Sequence, residues 1–258
     1  MRALLVCLAL LLSSADGRAA PACERRTFAI AVDPGHTLDS PGATSARGIP
    51  EVHFNTHLAS RLVRALQKAG FDTVFLTNPD GAPIALLDRS RIANDRDARL
   101  FLSIHHDAAQ PQFFSTWSHQ GVPRAYTDDF KGHSLFVSQQ NGDASGSLRF
   151  AQLLGDRLRS RCFAPTLHHA EKVAGEGREL LDVERGIYRF DDLAVLRSTR
   201  MPAVLFEAGL IVNRHEETLL RSARYQTRMI AAITDAIVDF CAGAQPPASM
   251  PSQRAECR

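Results

Sequence analysis

The sequence predicts an α/β protein: a single domain whose twisted, mostly parallel sheet is flanked by helices on both faces. Short apolar runs alternate with segments of helical period, the pattern of strand–helix–strand units. Three of those runs lead to a His or a Glu. No internal repeat or change of composition divides the 258 residues, of which 45% are hydrophobic, enough to bury one sizeable core.

Met1-Arg2 is followed by an almost wholly apolar stretch from Ala3 to Leu12, then by Ser13, Ser14, Ala19 and Ala20. Charge, short apolar run and small-residue cleavage site, in that order, describe a secretory signal peptide over residues 1–20. The run is too short to span a bilayer. The first strand is Phe28 to Val32, which breaks into a loop at Asp33-Pro34-Gly35-His36. Ser40 to Pro50 is rich in small residues, Gly and Pro, and reads as loop. From Glu51 a helix runs to Ala69-Gly70, with Phe54, Leu58, Leu62, Val63 and Leu66 at helical spacing. Thr73 to Leu76 is the second strand, Ile84 to Ala98 a helix, and Leu100 to Ile104 a third strand ending at His105-His106-Asp107. Ser134 to Val137 is a fourth strand and Ser147 to Arg161 a helix. His168 to Glu184, polar and carrying Gly175 and Gly177, reads as an inserted loop. Ala203 to Phe206, introduced by Pro202, is the final strand. Helical segments follow over 216–220 and 224–240. The domain is expected over residues 24–241, and the Pro- and Ala-rich tail, 242–258, is expected to be disordered.

A net charge of +2 with scattered Lys and Arg gives no basic face, so nucleic acid is not an expected partner. No later stretch is long and apolar enough to be a membrane span, and the mature protein is expected to be exported, to the periplasm or outside the cell. Cys7 falls in the signal. Cys23, Cys162, Cys241 and Cys257 allow three disulfide connectivities, among which sequence does not choose. They contain no CxxC pair, which argues against a thiolate zinc site.

The chemistry gathers where strands end. In open α/β sheets the ligand crevice lies beyond the carboxyl ends of the strands. His36, His105 and Glu207 each follow a predicted strand, and Glu51 opens the helix after the first loop. Two imidazoles and one carboxylate are a common catalytic zinc set with a fourth position open for water. A second carboxylate outside that set can move the water's proton to a leaving amine. Glu207 is the candidate, because partial burial after an apolar strand would raise its pKa. Each residue also has a plain alternative: a polar loop His, a Glu favouring a helix dipole, an acid paired with an Arg.

At these positions the sequence resembles the zinc-dependent N-acetylmuramoyl-L-alanine amidases of bacterial cell-wall turnover. The matching stretches are Asp33-Pro34-Gly35-His36, Pro41-Gly42-Ala43, Glu51 with Asn55, Asp88-Arg89, Ala93-Asn94, Ser103-Ile104-His105, the run from Met201 to Gly209, and Asn213. The resemblance implies His36, Glu51 and His105 as ligands of Zn2+ and Glu207 as the catalytic acid/base. It implies hydrolysis of the amide between N-acetylmuramic acid and the L-alanine of the stem peptide, with peptidoglycan or a muropeptide as partner, and it is compatible with a protein activator. Two readings use the same residues differently: a zinc peptidase or deacetylase acting on the wall, and a non-catalytic peptidoglycan-binding regulator. Thr37-Leu38 and His106-Asp107 depart from the family's usual residues. Strand alternation allows only one of His105 and His106 to face the metal. Ala108 to Lys131, with Phe113, Phe114, Trp117 and Tyr126, is expected to be a loop packing its own aromatics or a wall of the glycan cleft. The 168–184 segment is a candidate autoinhibitory element, with Glu171, Glu176, Glu179 or Glu184 as the residue that would cover the site.

Overall fold

A computed structural model describes residues 23–247; the expected signal peptide, Cys257 and most of the expected tail lie outside them. Nine strands are found among the described residues: β1 (Ile30–Pro34), β2 (Val74–Leu76), β3 (Leu100–Asp107), β4 (Ser115–His119), β5 (Val122–Tyr126), β6 (Ser134–Val137), β7 (Glu179–Asp182), β8 (Ile187–Arg189) and β9 (Ala203–Leu210). The helices are α1 (Glu51–Lys68), α2 (Leu86–Asp95), α3 (Ala144–Ser160), α4 (Ala194–Arg197), α5 (Glu216–Leu220) and α6 (Ala223–Cys241). Seven strands form one sheet in the order β2-β1-β3-β9-β6-β8-β7, and β4 and β5 form a separate hairpin. Four of the six pairings in the large sheet are parallel; β9 with β6 and β8 with β7 are antiparallel.

The central strands are buried on both faces, which is why they read as continuous apolar runs rather than alternating ones. One face packs Ile30, Val32, Leu100 and Leu102 against α1, α3 and α6, through Leu58, Leu62, Leu154 and Ile233 among others. The other packs Ala31, Phe101, Ala203 and Leu205 against Ala93 of α2 and Val195 and Leu196 of α4. The expected two-faced α/β sheet is therefore the observed fold.

Element ends differ from expectation for local reasons. α3 begins at Ala144 because Asp143 caps it, accepting a hydrogen bond from the Gly146 amide at 2.8 Å. α2 is shorter than expected because Ala85 is extended before it and Asp97 turns left-handed after it, with φ 47°. The hairpin β4–β5 was not expected. Its two-residue turn, Gln120-Gly121, has φ 52° and 78°, the geometry that matches strand twist. The inserted segment also carries more structure than expected: a short 3-10 turn at His168–Ala170, then β7 paired with β8. Beyond α6 the chain stays attached to the domain as far as Pro247, where Arg149 donates to the Ala244 carbonyl and Arg185 to that of Pro247.

Cys23 is disulfide-bonded to Cys241, tying the start of the domain to the end of α6. Cys162 is disulfide-bonded as well.

Candidate active site

The site forms where β1, β3 and β9, three adjacent parallel strands, end at one edge of the sheet. His36 lies just beyond β1 in the left-handed region, φ 68°, a conformation that costs a non-glycine residue on the order of 1 kcal/mol. Arg89 of α2 holds it there. Its guanidinium is 2% exposed, donates to Asp33 Oδ1 at 2.8 Å and to the Pro34 carbonyl at 2.7 Å, and also reaches the His36 carbonyl. Asp33 in turn accepts from Thr77 and Ser103, so the buried acid is fully engaged.

Glu51 opens α1 and meets both histidines. Its Oε2 lies 2.9 Å from His36 Nε2, and its Oε1 lies 3.0 Å from His105 Nδ1. The Ala43 and His106 amides and the Asn55 side chain also donate to it. Burial raises the pKa of Glu51, but hydrogen bonds from His105 and His36 outweigh it and hold the carboxyl well below the usual range. Gly42, at φ 77°, makes room: a Cβ there would fall 2.4 Å from Glu51 Oε2.

The neighbouring histidines separate as strand alternation requires. His105 turns toward Glu51, whereas His106 is buried on the other side, with Nδ1 2.7 Å from Asn55 Oδ1 and its ring against Phe54. Burial pushes His106 down to about 3, so it is a neutral structural residue.

Glu207 on β9 is the register partner of His105 on β3. Paired residues of adjacent strands are about 4.8 Å apart and point to the same side. Its Oε2 is shut off from solvent and has no hydrogen-bond partner. Burial raises its pKa well above the ordinary value, and the nearby Asp107 and Glu51 carboxylates push the same way. The four residues predicted from sequence line one cavity of about 270 Å³.

The ligand atoms of His36, Glu51 and His105 all lie within 4.8 Å of one another. Two imidazoles and a carboxylate suit a divalent transition ion, and Glu207 lines the same cavity. The residues present fit a metal ion.

The model of the N-acetylmuramoyl-L-alanine amidase family known as Amidase_3 matches residues 30–239. The chain belongs to this family. Among family relatives, a probable N-acetylmuramoyl-L-alanine amidase, AmiB, of Haemophilus influenzae is 29% identical over 240 residues, 83% of this chain and 52% of the relative. AmiA of Escherichia coli is 25% identical over 241 residues, 89% of this chain and 82% of the relative. The family's fold recurs in Ami1 of Mycobacterium smegmatis, with a TM-score of 0.65 at 20% identity, covering 85% of this chain and 99% of that one. The chain spans about half the length of the first curated relatives it matches.

Of the four glutamates in the inserted segment, only Glu176 reaches the cavity. Its carboxylate is engaged by His169 Nδ1 at 2.9 Å and Gln110 Nε2 at 3.0 Å rather than by the triad. Glu179 pairs with Arg189 and Glu184 with Arg159 at the surface. The residues that sequence reasoning passed over are His168 and His169, which sit in a segment with no apolar period to announce it. The hairpin's Trp117 donates to the Ala46 carbonyl and stacks on His119, so the aromatics expected in this region pack largely on their own surroundings.

Proposed function

We propose that this chain is a zinc-dependent N-acetylmuramoyl-L-alanine amidase, which hydrolyses the amide between N-acetylmuramic acid and the L-alanine of the peptidoglycan stem peptide. The observation that carries this reading is the joint presence, in one cavity of a chain of that family, of the His36–Glu51–His105 triad and an unpartnered Glu207.

In this reading His36, Glu51 and His105 hold the zinc. A zinc ion bound there supplies Lewis acidity and a more acidic water. Glu207 supplies the proton traffic: it takes a proton from the attacking water and delivers it to the nitrogen of the departing L-alanine. A carboxyl whose pKa is raised by burial can both accept and return a proton near neutrality, whereas one in open water would stay ionised. Glu51, held ionised by its two histidines, keeps those imidazoles turned inward. A second cavity, lined by Leu86, Leu193 and Val195, also borders His36 and His105 and offers an apolar subsite for part of the substrate.

We further propose that the protein works outside the cytoplasm, in the periplasm or beyond. The Cys23–Cys241 disulfide suits an oxidising compartment. No helix among the described residues is long and apolar enough to cross a membrane.

Digestion of purified sacculi tests the activity. Release of stem peptides with a free N-terminal L-alanine, lost on chelation and restored by zinc, is the expected result. Cleavage within the stem peptide, deacetylated glycan, or no product at any metal loading with or without periplasmic extract rejects it. Release that appears only after a periplasmic extract is added would identify a protein activator.

A further inference from the structure

Next to the first triad lies a second group of inward-facing ligands. Asp107 is the last residue of β3, and His168 and His169 come from the 3-10 turn of the inserted segment, 61 and 62 residues further along the chain. All three are buried, and their ligand atoms fall within 4.8 Å of one another. His169 Nε2 is 2.8 Å from Asp107 Oδ2, and His168 Nε2 is 3.5 Å from the same oxygen. The two imidazoles lie side by side, with centroids 3.9 Å apart.

We infer that Asp107, His168 and His169 form a second site for a divalent transition cation of the zinc class. The inference is independent of the amidase reading, because it concerns only what this cluster binds.

His168 carries the argument. It is 2% exposed, and its Nε2 makes no well-formed hydrogen bond although it points at a carboxylate; the Ala108 carbonyl lies close to the ring. Its other nitrogen, Nδ1, is 2.9 Å from Thr166 Oγ1, which fixes the ring. A buried imidazole nitrogen without a partner is an expense that folded proteins avoid. A cation between it and Asp107 would satisfy both groups. His169 is prepared in the same manner: its Nδ1 is 2.9 Å from Glu176 Oε2, leaving Nε2 to face Asp107. A carboxylate behind a metal-binding imidazole is the usual support for such a ligand. Glu176 is itself held by Gln110.

The spacing resembles that of the first triad, where imidazole nitrogens lie 2.9 and 3.0 Å from the Glu51 oxygens. Donor atoms gathered round a tetrahedral ion with bonds near 2.0–2.1 Å are roughly 3.3 Å apart, so both groups need only a small adjustment. Two nitrogens with one oxygen favour zinc and its neighbours over calcium or magnesium, which take oxygen ligands. Asp107 lies two residues beyond His105, roughly 6–7 Å along a strand. The two groups share no residue, so the second site is distinct from the first. An ion there would pin the inserted segment to β3. His169, Gly175, Glu176 and Arg178 would then be fixed as one wall of the catalytic cavity.

The test is metal stoichiometry of the full purified protein, stripped with chelator, reloaded with zinc, dialysed and measured by plasma mass spectrometry. The wild type is expected to hold two equivalents. His168→Leu and Asp107→Asn are each expected to hold one, with second-site affinity reduced 100-fold or more. The double variant His36→Ala/His105→Ala is expected to retain one equivalent, because it empties the other site. Cobalt absorption titrated in parallel should show two phases in the wild type and one in each variant. A single equivalent in the wild type that His168→Leu keeps and His36→Ala/His105→Ala loses overturns the inference; the reverse pattern would uphold it and count against the first triad as the zinc site. Two equivalents retained by His168→Leu, which would mean binding elsewhere on the surface, also overturn it. Circular dichroism separates loss of metal from loss of fold.

Discussion

Gly35 lies directly against the imidazole of His105: a Cβ at position 35 would stand 2.1 Å from His105 Nε2. The first loop and the third strand thus meet with no room for a side chain. Gly35→Ala is expected to drive the imidazole out of position while leaving the core intact, because the crowding is confined to the site. Zinc affinity should fall by an order of magnitude or more, with little change in the unfolding midpoint. Unchanged metal affinity would show that the ring can be displaced without losing its role.

Glu207 is the proposed proton carrier, and its Oε2 is shut off from solvent without a hydrogen bond. Glu207→Gln keeps the shape and removes the titrating group. We expect turnover on sacculi to fall at least a hundredfold, the scale of a general acid/base contribution, while zinc content stays the same. Full activity in this variant would assign proton transfer to another group.

Arg89 and Asp33 form a buried ion pair at 2.8 Å, with side chains 2% and 1% exposed. Removing one partner leaves the other charge uncompensated. Arg89→Met is expected to lower stability by about 3–5 kcal/mol, read from urea denaturation. It should also weaken zinc binding, since the same guanidinium anchors the His36 carbonyl. Arg89→Lys should not restore the wild-type value, because an ammonium cannot reproduce the planar fork.

His133 supplies a pH dependence. It is buried beside Phe206, and neither ring nitrogen makes a well-formed hydrogen bond. Burial lowers its pKa from 6.5 to about 4, with the Arg185 and Ala164 carbonyls pulling weakly the other way. Between those values the unfolded chain binds the proton and the folded one does not. Its contribution to stability is therefore complete above pH 6.5 and is lost as pH falls through 4, about 3 kcal/mol in all. His133→Leu removes that dependence. The variant's melting temperature relative to wild type should rise by roughly 6–12 °C between pH 7 and pH 4. A constant difference across that range would mean that His133 does not titrate on unfolding. Glu216, raised to about 7 by burial, acts in the opposite direction as pH rises, so the comparison must be made between variant and wild type.

The Cys23–Cys241 disulfide closes a loop with a sequence separation of 218 residues. Cross-linking so long a loop restricts the unfolded chain, a contribution of about 2–5 kcal/mol. Cys23→Ser/Cys241→Ser should lower the urea midpoint accordingly. Activity at room temperature should be preserved, since both cysteines lie far from the strand ends that carry the site. Equal midpoints would mean that the unfolded chain is already compact without the bond.

The chain order itself determined most of the fold and the first triad. A strand buried on both faces has to be continuously apolar, so the runs of β1, β3 and β9 were visible, and the residues that followed those runs, His36, His105 and Glu207, stood out as polar groups at the sheet's edge; the structure extends β3 to Asp107 and β9 to Leu210, past the last two. α1 was visible through its 3.6-residue period, with Glu51 at its start. Tertiary structure alone decided the rest. β4 and β5 have exposed, mixed faces whose pairing depends on a turn, Gln120-Gly121, with a weak signature. β7 and β8 are three or four residues long and exist only because they pair with each other and with β6. His168 and His169 carry no period at all. They join Asp107 because the β7–β8 edge folds the segment back over β3, a contact across some sixty residues. Local pattern reports which face of an element is apolar; it does not report which distant polar groups that packing brings together.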